Sequence, residues 1–254
     1  MLIYNTTAPR RRPQMGRFFL HDYPRLVRQT WPFHLASLLI GLLFCLLAME
    51  RVVDDPLLVS DILGGADHEF VGERTAADIR DRFREPPMPV LFAHVTTNNI
   101  MVSFNAFALG VTFGLGTLFV LALNGAMLGG YTGAFAASDL ADVFWITVLP
   151  HGALELSAVV IAGGAGLLIG YTMWCPGRRS FRRAMIEEGR RAVLLVVGLI
   201  PAFIIAGLFE GFLTPSDAIS DAVKVTIGVA AAVLFWLYIL FGGRRDIGGR
   251  QPSG

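Results

Sequence analysis

Apolar residues run almost uninterrupted through six stretches of the chain, at residues 33–53, 96–113, 117–137, 143–174, 192–213 and 221–242. A helix needs about twenty such residues to cross a hydrocarbon core ~30 Å thick, because each residue adds about 1.5 Å of rise. The pattern predicts an all-α membrane protein with six transmembrane helices in a tightly packed, glycine-rich bundle. The turn Gly114-Leu115-Gly116-Thr117 joins the second and third stretches, and its two glycines permit the sharp reversal of a helical hairpin. The fourth stretch is about ten residues longer than a crossing requires. Pro150 and Gly152 inside it predict a helix break there, leaving residues 143–149 as a separate interfacial piece. Asn98 and Asn99 stand near the start of the second stretch, where side-chain oxygens can cap a helix.

Charge tests the count of crossings. Arg10, Arg11, Arg12, Arg17, Arg25 and Arg28 precede the first stretch. Arg178, Arg179, Arg182, Arg183, Arg190 and Arg191 lie between the fourth and fifth, and Arg244, Arg245 and Arg250 follow the last. Lys and Arg in short flanking segments stay on the cytoplasmic side, so these clusters, fifteen of the 21 basic residues, belong together. Only an even number of crossings between clusters allows that, and the hairpin supplies the parity. Both termini are therefore expected inside, with the chain in the cytoplasmic (inner) membrane.

The resulting divisions are a basic, amphipathic N-terminal segment at 1–32, a first transmembrane helix at 33–53, an acidic extracytoplasmic segment at 54–95, a five-helix membrane core at 96–242 and a disordered cytoplasmic tail at 243–254. Within the first, Phe18, Phe19, Leu26, Val27 and Trp31 interleave with arginines, a composition suited to lying at the inner headgroup surface. A short helix is expected near residues 75–84 of the acidic segment, stopped by Pro86-Pro87-Met88-Pro89. No small-residue cleavage site follows the first stretch, which predicts an uncleaved anchor. A hydrophobic content of 54% excludes a soluble domain. The basic clusters are accounted for by topology, so no nucleic-acid-binding face is implied. Two cysteines, Cys45 and Cys175, imply no disulfide framework.

Glycines recur four residues apart, at Gly110 and Gly114, at Gly125, Gly129 and Gly133, at Gly166 and Gly170, and at Gly207 and Gly211. That spacing lines one helix face and lets a neighbouring backbone approach closely. Against this background three ionisable residues stand out: His151, Glu155 and Glu210. A charge at bilayer depth costs roughly 2.5–3.5 kcal/mol on insertion scales, which makes such residues functional candidates. Glu155 and Glu210 each lie 19 residues from the inner end of their stretch, counted from Trp174 and Arg191, roughly 28 Å at 1.5 Å per residue. They share a level near the outer surface, with His151 one helical turn further out on the face of Glu155. Asn105 and Asn124, in the hairpin, are expected to form interhelical hydrogen bonds. His34 falls at the end of the first stretch, where an interfacial polar residue is ordinary.

Several of these stretches together resemble the stage II sporulation protein M family of bacterial membrane proteins. They are FFLHDYPRLVR at 18–28, Asn98-Asn99, AFALGVTFGLGTLFVLALNGAMLG at 106–129, LPHGALEL at 149–156 and FEGFLTP at 209–215. The HG-x-x-E and EGF-x-TP elements, in that order, carry most of the specificity. The resemblance implies a multi-span helical protein whose sporulation member works beside cell-wall hydrolases, and whose relatives are often encoded near a MoxR-type AAA ATPase and von Willebrand-type proteins. Longer relatives carry an additional cytoplasmic N-terminal helical region, expected to be missing here.

The leading expectation is a non-enzymatic membrane component of a bacterial cell-envelope assembly, needing no cofactor or metal, embedded in the lipid bilayer and open to homo-oligomerisation. Its partners would be envelope or cell-wall proteins, with the MoxR-type ATPase and von Willebrand-type proteins as further candidates. A transporter or proton-coupled permease using His151, Glu155 and Glu210 is the alternative, since histidine exchanges protons near neutral pH and a broken helix beside ionisable groups is a transporter feature. An intramembrane metal hydrolase is a third reading. It needs three protein ligands on zinc, and HExxH is missing.

Overall fold

In a sequence this apolar the backbone donors and acceptors have no water to bind, so each long stretch satisfies them internally as helix. The computed structural model describes residues 15–55, 58, 88–137, 141–213, 216 and 218–244, with no strand among them. A helical turn at Met15–Arg17 and a π-helical turn at Phe18–Asp22 lead into α1 (Tyr23–Gln29). There follow α2 (Trp31–Asp54), α3 (Met88–Ala108), α4 (Leu115–Ala137), α5 (Ala141–Trp174), α6 (Phe181–Val197), α7 (Ile200–Leu208) with a π-helical turn at Phe209–Leu213, and α8 (Asp221–Phe241). Proline opens α1, α2 and α7, where its missing amide proton costs nothing. Five stretches among the described residues are long and apolar enough to cross a membrane: Trp31–Asp54, Leu115–Ala137, Phe144–Trp174, Phe181–Leu213 and Asp221–Phe241. The remaining expected crossing, at 96–113, corresponds to α3, a helix of 21 residues that begins earlier than expected and is not one of the five. The expected helix at 75–84 and most of the C-terminal tail lie outside the described residues.

The expected break at Pro150 and Gly152 is absent. α5 runs through both as one helix of 34 residues. Proline removes the donor for the carbonyl four residues back, yet ending the helix would free more backbone groups than that one. Gly228 of α8 also leaves room beside it, since a side chain at Gly228 would strike the Pro150 backbone.

α5 is the axis of the bundle. Of its most apolar window 78% is buried, against 17–39% for the other four crossings, and α2, α3, α4, α6, α7 and α8 all pack against it. Glycines set one of these contacts and the neighbouring one between α2 and α4. In the turn that follows α3, Gly110 meets Gly166 of α5 and Gly114 meets Gly170, so α3 and α5 run parallel at a constant offset. A Cβ on Gly170 would stand 2.5 Å from the Gly114 Cα. Gly114 also carries the hairpin turn with φ +82°, a left-handed conformation that glycine adopts freely, and Thr117 Oγ1 closes the turn by donating to the Ala106 carbonyl at 2.7 Å. On α2 and α4, Gly125, Gly129 and Gly133 lie on the backbone of Gly41, Cys45 and Met49, again parallel. The packing role expected for Gly211 does not hold: it is exposed, with open space where a Cβ would be, because the π-turn swings it off the packed face. Gly207 is half-buried on α7.

The described segments that carry the three basic clusters meet at one end of the bundle. Arg25 donates to the Gly243 carbonyl at 2.7 Å, Arg28 donates to the Ile239 carbonyl, and Arg191 reaches Gln29 at 3.2 Å. Arg179 bridges Glu187 and Glu188, each at 2.9 Å. Residues 15–29 do not simply lie on a headgroup surface. Tyr23, Leu26 and Val27 are buried in a cluster with Ile169 of α5, Leu195 of α6 and Ile239 of α8, because this face finds a better apolar partner in the bundle than at the interface. Burial pushes the Tyr23 phenol pKa up, and Tyr238 adds to the shift.

Two glycines on the α2–α4 seam should respond oppositely. A Cβ on Gly129 would sit 2.9 Å from the Cys45 Cα, whereas one on Gly41 meets nothing within 4 Å. Gly129→Ala should destabilise detergent-solubilised protein by on the order of 1–3 kcal/mol in thermal unfolding, the cost of overpacking. Gly41→Ala should stay within about 0.5 kcal/mol of the parent.

Candidate functional site

The parallel seam that joins the glycines just after α3 to those of α5 also joins two polar residues. Asn99 Nδ2 donates to Glu155 Oε2 at 2.5 Å, on the same offset that places Gly110 on Gly166. Glu155 is 1% exposed, His151 one turn away on α5 is 4% exposed, and Glu210 is 2% exposed. A carboxylate removed from water needs donors, and a primary amide supplies one without adding a second charge. Asn99 is thus no helix cap. α3 begins at Met88, eleven residues earlier, and this places Asn99 within the helix, on its packed stripe with Ser103 and Ala106.

Glu210 reaches the same region from the other side. Leu154 packs with Ala202 and Ala206 of α7, and the two helices run antiparallel. The π-turn that carries Glu210 packs against both α3 and α5. The three expected site residues are therefore all buried on elements in mutual contact.

Asn105 is exposed on α3, and Asn124 is half-buried on α4 beside Gly125. Neither forms a hydrogen bond with another described residue. His34 is no interfacial residue. It is 4% exposed, holds Thr30 Oγ1 at 2.9 Å through Nε2 and packs against Gly164 of α5. The reason is the length of α5, which extends past the start of α2 and covers it.

Lys224 was missed. It is 8% exposed on α8, 3.7 Å from Asp221, one turn from the Gly228 that packs on Pro150. The signal was present in composition: Lys224 is the single lysine of a chain whose other twenty basic residues are arginine. His151, Glu155, Glu210 and Lys224 each interact with further groups. No three His, Cys, Asp or Glu side chains converge as metal ligands among the described residues.

The levels of flanking charges give a second measure of where Glu155 lies along the bundle. Ser37 and His34 lie by Gly163 and Gly164, so antiparallel α2 brings Arg51 level with about residue 149 of α5. Gly228 lies by Pro150, and Trp236 Nε1 donates to Ser157 Oγ at 3.0 Å, so parallel α8 brings Arg244 level with about residue 165. The two levels are about 24 Å apart, and Glu155 lies within about 3 Å of halfway. Counting from Trp174 gives a larger separation because α5 overshoots its neighbours at the Arg-rich end, where α1 and α6 cover the excess.

The Asn99–Glu155 bond should appear as coupling between the two positions. In thermal unfolding of Asn99→Leu, Glu155→Leu and the double variant, the coupling energy should be on the order of 1.5–3 kcal/mol, as for a hydrogen bond to a charged group. Additive losses would mean that the two side chains are independent.

Residues 34–215 match the stage II sporulation protein M family, from the first turn of α2 to just past the π-turn that carries Glu210. An uncharacterized protein of Methanocaldococcus jannaschii is 30% identical over 154 residues, covering 59% of this chain and 86% of that relative. A second uncharacterized protein of the same organism is 25% identical over 145 residues, 56% of this chain and 64% of the relative. No solved structure matches. The family match takes in the glycine seams, Asn99, His151, Glu155 and Glu210 together, and on that extent the chain belongs to the stage II sporulation protein M family.

Proposed function

We propose that the protein is a non-enzymatic membrane component of a cell-envelope assembly, a rigid helical body that anchors and positions envelope or cell-wall partners. The observation that carries this reading is the closure of the polar cluster. His151, Glu155 and Glu210 are each less than 5% exposed, and the Glu155 carboxylate is engaged by Asn99 across a glycine-packed seam. A closed, buried cluster fixes how three elements meet, which is what a scaffold needs, whereas chemistry on a substrate needs access. In the same reading α3 crosses the bilayer with the other five long segments, both termini lie on the cytoplasmic side and the membrane is the cytoplasmic one. Support for that comes from the meeting, at one end, of the described segments that carry the three Arg clusters. A MoxR-type ATPase and von Willebrand-type proteins are partner candidates by family likeness.

A second reading, a proton-coupled permease, gains from one observation. Glu155 sits near half-depth rather than at the outer surface, where a coupling acid in a transporter is found.

Glu155→Gln separates the two, because it keeps a hydrogen-bonding oxygen for Asn99 and removes the titration. For a scaffold, the set of envelope proteins that co-purify after crosslinking in native membranes should be unchanged, and proteoliposomes loaded with a pH-sensitive dye should show no proton flux above empty vesicles. If the variant retains its co-purifying partners but loses function in cells, while the parent protein conducts protons, the scaffold reading is wrong.

A further inference from the structure

α3 carries two stripes. One, formed by Asn99, Ser103 and Ala106, is packed on α5 and leads into Gly110 of the turn that follows. The other lies on the opposite side, at Asn98, Met101, Asn105 and Ala108. Its spacing alternates three and four residues, the repeat of a helix–helix seam with Asn98 and Asn105 at one class of position and Met101 and Ala108 at the other. Met101 is 52% exposed, Asn98 and Asn105 are exposed, and Ala108 is half-buried.

Asn105 makes this face unusual. The parallel offset between α3 and α5 sets it level with residue 161, about 6 Å from the halfway level between Arg51 and Arg244. A carboxamide there faces hydrocarbon, too deep for a lipid headgroup or bulk water to reach, and no described side chain bonds to it. Its partner must therefore be protein and must bring a donor and an acceptor to the same depth. A carboxamide meets both needs in another carboxamide. A twofold axis along the membrane normal leaves every residue at its own depth, so a second copy of this chain delivers its own Asn105 to that level by symmetry.

We propose that the exposed stripe of α3 is the interface of a parallel homodimer, with Asn105 hydrogen-bonded to Asn105 of the partner subunit. Small Ala108 lets the two helices approach, and the polar seam position fixes their register, as one buried asparagine does in a coiled coil. This rests on α3 crossing the bilayer, and goes beyond the scaffold reading by naming what covers the face.

The test uses full-length protein in native membranes, in a Cys45→Ser, Cys175→Ser background. Asn105→Cys and Met101→Cys should each crosslink to a dimer under mild oxidation. Leu234→Cys, 65% exposed on α8, should not. In single-molecule photobleaching in lipid bilayers the parent should bleach mainly in two steps, and Asn105→Leu should weaken association about threefold to thirtyfold. That variant should still fold, since leucine suits a lipid-facing site. Single-step bleaching of the parent with no dimer from Asn105→Cys overturns the proposal, as does a crosslink from Asn105→Cys to a different protein. Labelling of Asn105→Cys by a membrane-impermeant maleimide in sealed vesicles overturns its depth, and shows that the premise on α3 failed rather than the pairing.

Discussion

Helices that meet inside a membrane gain little from the hydrophobic effect, since lipid tails are as apolar as leucine. What remains is direct contact, which is strongest where two backbones can touch. In this chain such contact is possible only at glycine, and the glycines are placed so that it happens along whole seams rather than at single points. Gly110 and Gly114 fall on Gly166 and Gly170, and Gly125, Gly129 and Gly133 fall on Gly41, Cys45 and Met49. Each seam has one offset, and an offset shared by several contacts fixes the register of every other residue on those helices.

The polar cluster follows from that register. Asn99 and Glu155 stand on the α3–α5 seam at the separation that also pairs the glycines. Sliding α3 past α5 would break the hydrogen bond and the backbone contacts together. Gly228 fixes the approach of α8 to Pro150 in the same way, one turn from Lys224. The basic residues also act locally as well as globally. Arg25 and Arg28 are expected on the cytoplasmic side by their charge, and in the fold Arg28 binds the Ile239 carbonyl in the last turn of α8 and Arg25 the Gly243 carbonyl just beyond it, where cations suit the helix dipole.

Much of this was legible in the sequence. The apolar stretches gave the helices, the arginine clusters gave their grouping at one end, and glycines four apart gave the seams. What escaped was whatever depends on where a helix sits relative to its neighbours. Pro150 reads as a break until one knows that Gly228 makes room for it. Asn99 reads as a cap until the helix is seen to begin at Met88. Gly211 shares its spacing with real packing glycines, and only the π-turn tells it apart. The level of Glu155 reads differently along its own helix than against the charges of α2 and α8, because α5 extends past both neighbours. Lys224 could have been found from composition alone, had its rarity been weighed beside its place in an apolar stretch.

The elements that hold the site are not equally constrained. Glu155 is on the most buried helix of the bundle, tied by Asn99 and by the glycines above and below it. Glu210 is on a π-turn at the end of α7, next to a glycine with open space around it. A π-turn has poorer hydrogen-bond geometry than α-helix and is often found where function has selected it. No side chain at Gly211 resists a local shift. If the cluster opens at any stage of the protein's work, the seam between α3 and α5 is the part that stays, and the turn bearing Glu210 is the part that moves.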